Sequence, residues 1–186
     1  MKASRDTSGD RRSEAIAKSL GKLLKVVGIM AKETYTASQI ANFFLAITDP
    51  DENDMSNLKI QKLCYYAQGL CSAMRGRPLF SETIEAWDHG PVVPALYHEF
   101  KVHKSEPIPI PEWFDFSTIS DPDRTALTDL YEYYAQFSAW RLRDMTHEER
   151  PWKDAYKRPS KEITIEALVE FFGQQVDGEY REKIYS

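Results

Sequence analysis

Ser56–Phe100, SNLKIQKLCYYAQGLCSAMRGRPLFSETIEAWDHGPVVPALYHEF, is the stretch around which the chain is organised. Ser56 stands where a helix N-cap belongs. From Asn57 to Arg75, Ile60, Leu63, Cys64, Ala67, Leu70, Cys71 and Met74 recur at helical spacing and predict a wide apolar face. Gly76 suits the left-handed residue that closes a helix, and Pro78 blocks continuation. Phe80, Ile84 and Trp87 then mark a short extended piece, and Asp88-His89-Gly90-Pro91 marks a turn. Pro91 or Pro94 starts a further helix with Val93, Leu96, Tyr97 and Phe100 inward. The stretch reads as a core helix, a tight break, a hairpin and a second helix.

Upstream, Thr36 or Ser38 opens a helix with Ile40, Phe43, Phe44 and Ile47 as its stripe, stopped by Asp49-Pro50. The acidic run Asp49–Asp54 lacks the glycine and the closing glutamate of a calcium loop, and reads as a solvated connection. Downstream, Ser105–Pro111 (SEPIPIP) is an extended strap, with Trp113, Phe114 and Phe116 as its expected anchors. Asp121-Pro122 begins a long helix to about Asp144, followed by a polar loop at Thr146–Trp152 in which Pro151 opens a short helical piece. Ile163 and Leu168 bracket a Thr164 cap, and the last helix frays after Gly173. The predicted fold is mainly α: a single α-helical domain with one short β-hairpin and an appended N-terminal amphipathic helix. The expected divisions are a basic extension at 1–35, a domain at 36–175 and a C-terminal tail at 176–186.

The 186 residues are 42% hydrophobic and 28% charged, ordinary for a soluble globular chain, with a net charge of −5. The charge is unevenly placed. Residues 1–30 carry seven Lys/Arg against three Asp/Glu, and the other 156 carry seventeen against twenty-six, so a +4 arm precedes a −9 body. Within the arm, Ser13 caps a helix to about Met30 on which Ile16, Leu20, Leu23 and Val27 form an apolar stripe. Lys18, Lys22 and Lys25 fall on the opposite face. Gly21 and Gly28 weaken this helix in isolation by roughly 1 kcal/mol each, so it needs a surface to lie on. Three surfaces fit: the chain's own body, another protein chain including a second copy, or an anionic membrane.

Cys64 and Cys71 lie in one predicted helix roughly 10 Å apart, too far for a disulfide, and read as core thiols in a reducing compartment. With no signal peptide and no apolar run of the ~20 residues a membrane span needs, the expected location is the cytoplasm. His89, His98, His103 and His147 show no ligand spacing, and phosphate-loop and nucleophile-elbow motifs are absent, so neither metal nor cofactor is expected. Glu148 and Glu149 beside His147 form an acid/base pair on paper only. Lys59 and Lys62 make a thin basic patch, weak support for DNA binding.

The blocks Ser56-Asn57-Leu58-Lys59-Ile60-Gln61-Lys62-Leu63 and Tyr65-Tyr66-Ala67-Gln68-Gly69 resemble the opening helix of the SocA-like Panacea domain, also known as the phage-associated GepA-like family. The resemblance continues through Gly76–Phe80, Glu85–Pro94 and Tyr97 to Leu142, Thr146-His147 and Pro151-Trp152, over about residues 36–175. An aromatic residue often precedes Gly-Pro-Val in that family, and Asp88-His89 stands there here. The resemblance implies a non-enzymatic antitoxin of a type II toxin–antitoxin pair whose shared domain with variable flanks binds unrelated toxins. Some relatives instead deliver the toxin to a cellular protease, and autoregulation on operator DNA is a further possibility.

Under that resemblance Ile16, Leu20, Leu23 and Val27, with Lys18, Lys22 and Lys25, become the candidate toxin-binding residues. Lys59, Gln61, Lys62, Trp87, His89, Val92, Thr146, His147 and Trp152 are the candidate surface residues of the domain. The segments Trp87–Val92 and Thr146–Trp152 are expected either to close on each other as one surface site or to serve, through their tryptophans, as core anchors.

Overall fold

The computed structural model describes residues 34–185. The helix expected at 13–30, with all seven candidate toxin-binding residues, lies outside them.

Thr36 opens helix α1 (Ala37–Ala46) with a capping box: its hydroxyl accepts from the Gln39 N–H, and the Gln39 side chain accepts from the Thr36 N–H. Ser56 caps α2 (Asn57–Arg75) through the Lys59 N–H, and Gly76 closes it at φ 72. These ends match the sequence reading. The surroundings of α2 do not. Beyond the apolar stripe, Asn57, Lys59, Gln61, Lys62, Gln68 and Ser72 are also buried. The helix is therefore enclosed on every side rather than presenting one face to a core.

The enclosing elements are α1, β2 (Gly90–Val92), α4 (Asp121–Tyr134), α5 (Ala139–Glu148) and α7 (Ile165–Gly173). Thr164 caps α7, as its sequence signal indicated. At Gly69 α7 comes close: a Cβ there would lie 2.1 Å from the Phe172 ring. The missing side chain lets that ring settle edge-on against Tyr65 and Tyr66, at 5.6 and 6.0 Å.

The hairpin is present as β1 (Ile84–Trp87) antiparallel to β2, with Trp87 opposite Gly90. A third strand, β3 (Glu162–Ile163), pairs with the other side of β1 to give the order β2-β1-β3. Two residues are too few to carry an alternation signal. Pro94 starts α3 (Pro94–Phe100) in the permitted first-turn position.

Four expectations are corrected. The long helix to Asp144 is two helices: α4 ends at Tyr134, and Ser138 caps α5 by accepting from the Arg141 N–H. The break is held by Lys59, whose ammonium takes the Ala135 carbonyl at 2.6 Å, an acceptor that a continuous helix would use internally. Thr146 consequently lies within α5 rather than in a loop, and α6 (Arg150–Tyr156) follows after Glu149 alone. The tail does not fray: α8 (Gly178–Tyr185) packs on α4, with the Tyr180 hydroxyl donating to Asp129 at 2.6 Å. Trp113 is exposed and anchors nothing in the strap, which is held by buried Ile108 through its N–H to the Met55 carbonyl.

Asp123 ties the two ends of the described chain together. Its carboxylate accepts from the hydroxyls of Tyr35 (2.7 Å), Ser120 (2.9 Å) and Tyr185 (2.9 Å), with Arg75 Nε at 3.3 Å in a buried ion pair.

Candidate functional site

Much of the polar side of α2 is spent on the backbone of the segment that follows it. Gln68 accepts from the N–H groups of Leu79 and Phe80 at 3.1 and 3.0 Å and donates to the Phe80 carbonyl at 2.9 Å. Gln61 accepts from the Val93 N–H at 2.8 Å, and Lys62 Nζ donates to the Pro91 carbonyl at 2.9 Å. The free edge of β2 is thus closed by side chains of α2. Gly90, at φ 96, makes the contact possible: a Cβ would lie 2.7 Å from Lys62 Cε and 2.8 Å from Thr146 Oγ1. Full burial, aided by the charge of Arg143, lowers the Lys62 pKa from 10.5 to about 7.

This placement corrects the surface assignment. Lys59, Gln61, Lys62, Val92, Thr146 and Trp152 are buried. The physical reason is that the polar atoms of Lys59, Gln61, Lys62, Thr146 and Trp152 each find a backbone partner inside the domain, with the Asp54 carboxylate added at Lys59, so an apparently solvated helix face is an internal one. Trp87 and His147 are half-buried, and His89 is exposed.

The two predicted segments do meet. Trp152 Nε1 donates to the Trp87 carbonyl at 3.1 Å, and its ring is stacked between His147 (3.8 Å) and Tyr156 (4.7 Å). Burial first, then the charges of Arg143 and Lys62, lowers the His147 pKa and favours the neutral ring. Glu149 turns to a different neighbour. It accepts from the hydroxyls of Tyr65 (2.7 Å) and Tyr66 (3.0 Å), and burial raises its pKa to about 7. Glu148 pairs with Lys153 at 2.8 Å. The three adjacent titratable residues His147, Glu148 and Glu149 therefore do not converge on one reacting position. Cys64 and Cys71 are buried and free, with Cys71 pushed up to about 12 and Cys64 higher still, the opposite of an activated nucleophile.

On the outer side of the hairpin lies an open cleft of about 770 Å³. Trp87, Val92, Tyr97 and Trp140 wall it, Leu58 and Gln61 contribute from α2, and Lys101, Lys104 and Lys161 stand around it. Trp87 meets Tyr97 edge-on at 5.0 Å, and His89 meets Trp140 at 5.6 Å. Of the expected surface set, Gln61, Trp87, His89 and Val92 line this cleft. Sequence reasoning missed Trp140 and the three lysines. Trp140 left one usable signal, a large aromatic off the buried stripe and just behind a helix cap.

Residues 60–153 match the family described as antitoxin SocA-like, Panacea domain, which is 94 of the 186 residues. The chain belongs to this Panacea-domain antitoxin family. A 71-residue stretch is 37% identical to Antitoxin SocA of Caulobacter vibrioides (strain NA1000 / CB15N), covering 38% of this chain and 38% of that protein. The matched stretch is thus well under half of that relative's length. No solved structure matches. The Panacea-domain match runs from α2 into α6 and includes the hairpin, Trp140, Lys101 and Lys104, whereas Leu58 and Lys161 lie outside it. Among the described residues no helix is long and apolar enough to cross a membrane.

Proposed function

We propose that this chain neutralises a cognate protein toxin by binding it directly, with no chemistry of its own. The carrying observation is the Panacea-domain match at 60–153 in a chain that adds, outside that match, a basic amphipathic stretch. Helix-in-groove recognition uses apolar anchors at i, i+4, i+7 and i+11, the spacing of Ile16, Leu20, Leu23 and Val27. Lys18, Lys22 and Lys25 would then face the acidic rim of the toxin's groove. A non-enzymatic role agrees with the separate engagements of His147, Glu148 and Glu149 and with the raised pKa values of both thiols. Direct DNA binding by the body is disfavoured, because Lys59 and Lys62 are buried and residues 31–186 carry a net −9.

The test is co-expression with the protein encoded by the neighbouring reading frame. The full chain restores growth. Deletion of residues 1–30, or Leu20→Asp with Leu23→Asp in the full chain, abolishes rescue while the thermal melt of the body is unchanged. Full rescue by both variants would remove the arm from the mechanism.

A further inference from the structure

We infer that the cleft between the hairpin, α3 and α5 is a docking site for a short acidic segment of a partner protein, bearing one large apolar side chain. The residues that line this cleft all belong to the body, and the inference does not depend on the arm's reading as the toxin-binding element.

Size and wall chemistry define the anchor. A cleft of about 770 Å³ falls within the roughly 300–1,000 Å³ typical of ligand pockets. Trp87, Tyr97 and Trp140 offer aromatic faces and edges, and Trp140 remains 59% exposed. Trp113, Phe116 and Tyr133 are exposed as well, but Trp140 is the one of these four that lines the cleft, where its open ring suits a contact made with something else.

Charge defines what flanks the anchor. The body has twenty-six acidic residues against seventeen basic ones, yet the charged residues lining the cleft are three lysines and one acid, Asp88. That acid is engaged, accepting from the Tyr156 hydroxyl at 2.8 Å. Lys101 and Lys104 are exposed, and their ammonium groups have no partner among the described residues. Lys161 lies 3.7 Å above the Tyr156 ring.

Backbone conformation is an independent observation. Among the described residues, the two non-glycine positions with positive φ are Lys104 (φ 56) and Lys161 (φ 57), both on the rim of this cleft. At Lys104, ψ is −115, a region that glycine enters far more readily than any residue with a Cβ. Such strain concentrates where a side chain is needed for binding. The occupant that answers all three features places carboxylates against the lysines and an aromatic or large aliphatic group between Trp87 and Trp140. The chain's own +4 arm has the wrong sign. A nucleic acid would have to carry its phosphates onward over an acidic body.

The probe is a fluorescein-labelled, end-capped peptide with Leu-Phe flanked on each side by two acidic residues, titrated by anisotropy against the full chain. Saturable binding that weakens with added salt is expected. Trp140→Ala, and Lys101→Glu with Lys104→Glu, each weaken it about tenfold or more. Lys104→Gly weakens it as well without lowering the melting temperature, which separates binding from folding. Peptides with lysines for the acids, or alanines for Leu-Phe, do not bind. No binding by wild type, equal binding by the variants, or equal binding of the basic peptide overturns the inference. An oligonucleotide that competes with equal affinity overturns it in favour of nucleic acid. A dimer in sedimentation that Trp140→Ala dissolves overturns it in favour of a second copy. Failure of toxin neutralisation alongside intact peptide binding leaves the cleft standing and removes only the reading of the arm.

Discussion

On its inner side, the segment Leu79–Val93 meets α2 through Gln61, Lys62 and Gln68, and its facing backbone groups are tied to side chains at 2.8–3.1 Å. On its outer side, the same segment presents Trp87 and His89 to an open cleft shared with Trp140 and rimmed by lysines with few partners. The inner residues look functional in sequence, being lysines and glutamines in a row. They are structural. The outer residues include a tryptophan and lysines that no periodicity selects, and they are the ones available to a partner. Polar residue type alone therefore says little. What matters is whether a neighbouring backbone already satisfies the group.

The strongest way to break this contrast is at Gln68. Removing its amide leaves the N–H and the carbonyl of Phe80 without partners in the core, and leaves the Leu79 N–H with the Ser72 hydroxyl alone, at 3.2 Å. Gln68→Ala should cost about 3–5 kcal/mol, since each buried orphan costs about 1–3 kcal/mol. Chemical denaturation measures it, and a loss under 1 kcal/mol would mean the segment is held by something else. Next comes Gly90→Ala. The new Cβ would meet Lys62 and Thr146 in a backbone conformation that disfavours any side chain, and about 2–3 kcal/mol should be lost. Thr146→Ser should not rescue it, because the hydroxyl contact would persist.

What was legible follows from the range of the forces involved. The ends of α2 and the cap at Thr164 rest on interactions within one helical turn, and the sequence carries them; at the start of α1 the sequence leaves Thr36 and Ser38 open, and the structure selects Thr36 through its capping box with Gln39. The break at Ser138 was missed because Phe137 extends the apolar stripe of α4, while the residue that takes the Ala135 carbonyl, Lys59, is distant in sequence. The burial of Lys62 was missed for the same reason: its acceptor is the carbonyl of Pro91, and a backbone acceptor has no sequence signature. Half of the cleft was legible through Trp87, His89 and Val92. Trp140 was not, because stripe analysis selects what is buried, and Lys104 was not, because residue type does not disclose φ.

A pH titration sharpens the inner side. Glu149 titrates at about 7 in the folded chain against an ordinary 4.5, so the native state holds the extra proton. Its contribution is fully present below 4.5 and lost as pH rises through 7. Lys62 is depressed from 10.5 to about 7, so its burial penalty is complete below 7 and relaxes as pH rises above it. Each slope is at most about 1.4 kcal/mol per pH unit. His147, with its pKa lowered, opposes the first trend on the acid side, and the raised thiols of Cys64 and Cys71 oppose the second on the far alkaline side. Difference curves isolate each group. Glu149→Gln should gain on wild type as pH rises towards 7, and Lys62→Met should lose its advantage as pH rises above 7. Parallel curves would mean that neither group changes its protonation on folding.

The smallest effect carries the opposite sign and comes from the outer side. Lys104 holds a mirror-image backbone conformation, φ 56 and ψ −115, in which its Cβ is a liability. Among the described residues its ammonium contacts nothing that would offset this. Lys104→Gly relieves the strain but adds freedom to the unfolded chain, so the net gain should be about 1 kcal/mol or less. Lys161→Gly is the control. Its ammonium donates to the Tyr156 carbonyl and sits over the Tyr156 ring, so relief of a similar φ is offset by lost contacts and stability should not rise. A gain at residue 104 together with weaker capture of the acidic peptide would mean that the lysine is retained against the interest of the fold. A loss of stability at 104 would place Lys104 with Gln61, Lys62 and Gln68 as one more residue that holds the backbone, and the contrast between the two sides would fail at that point.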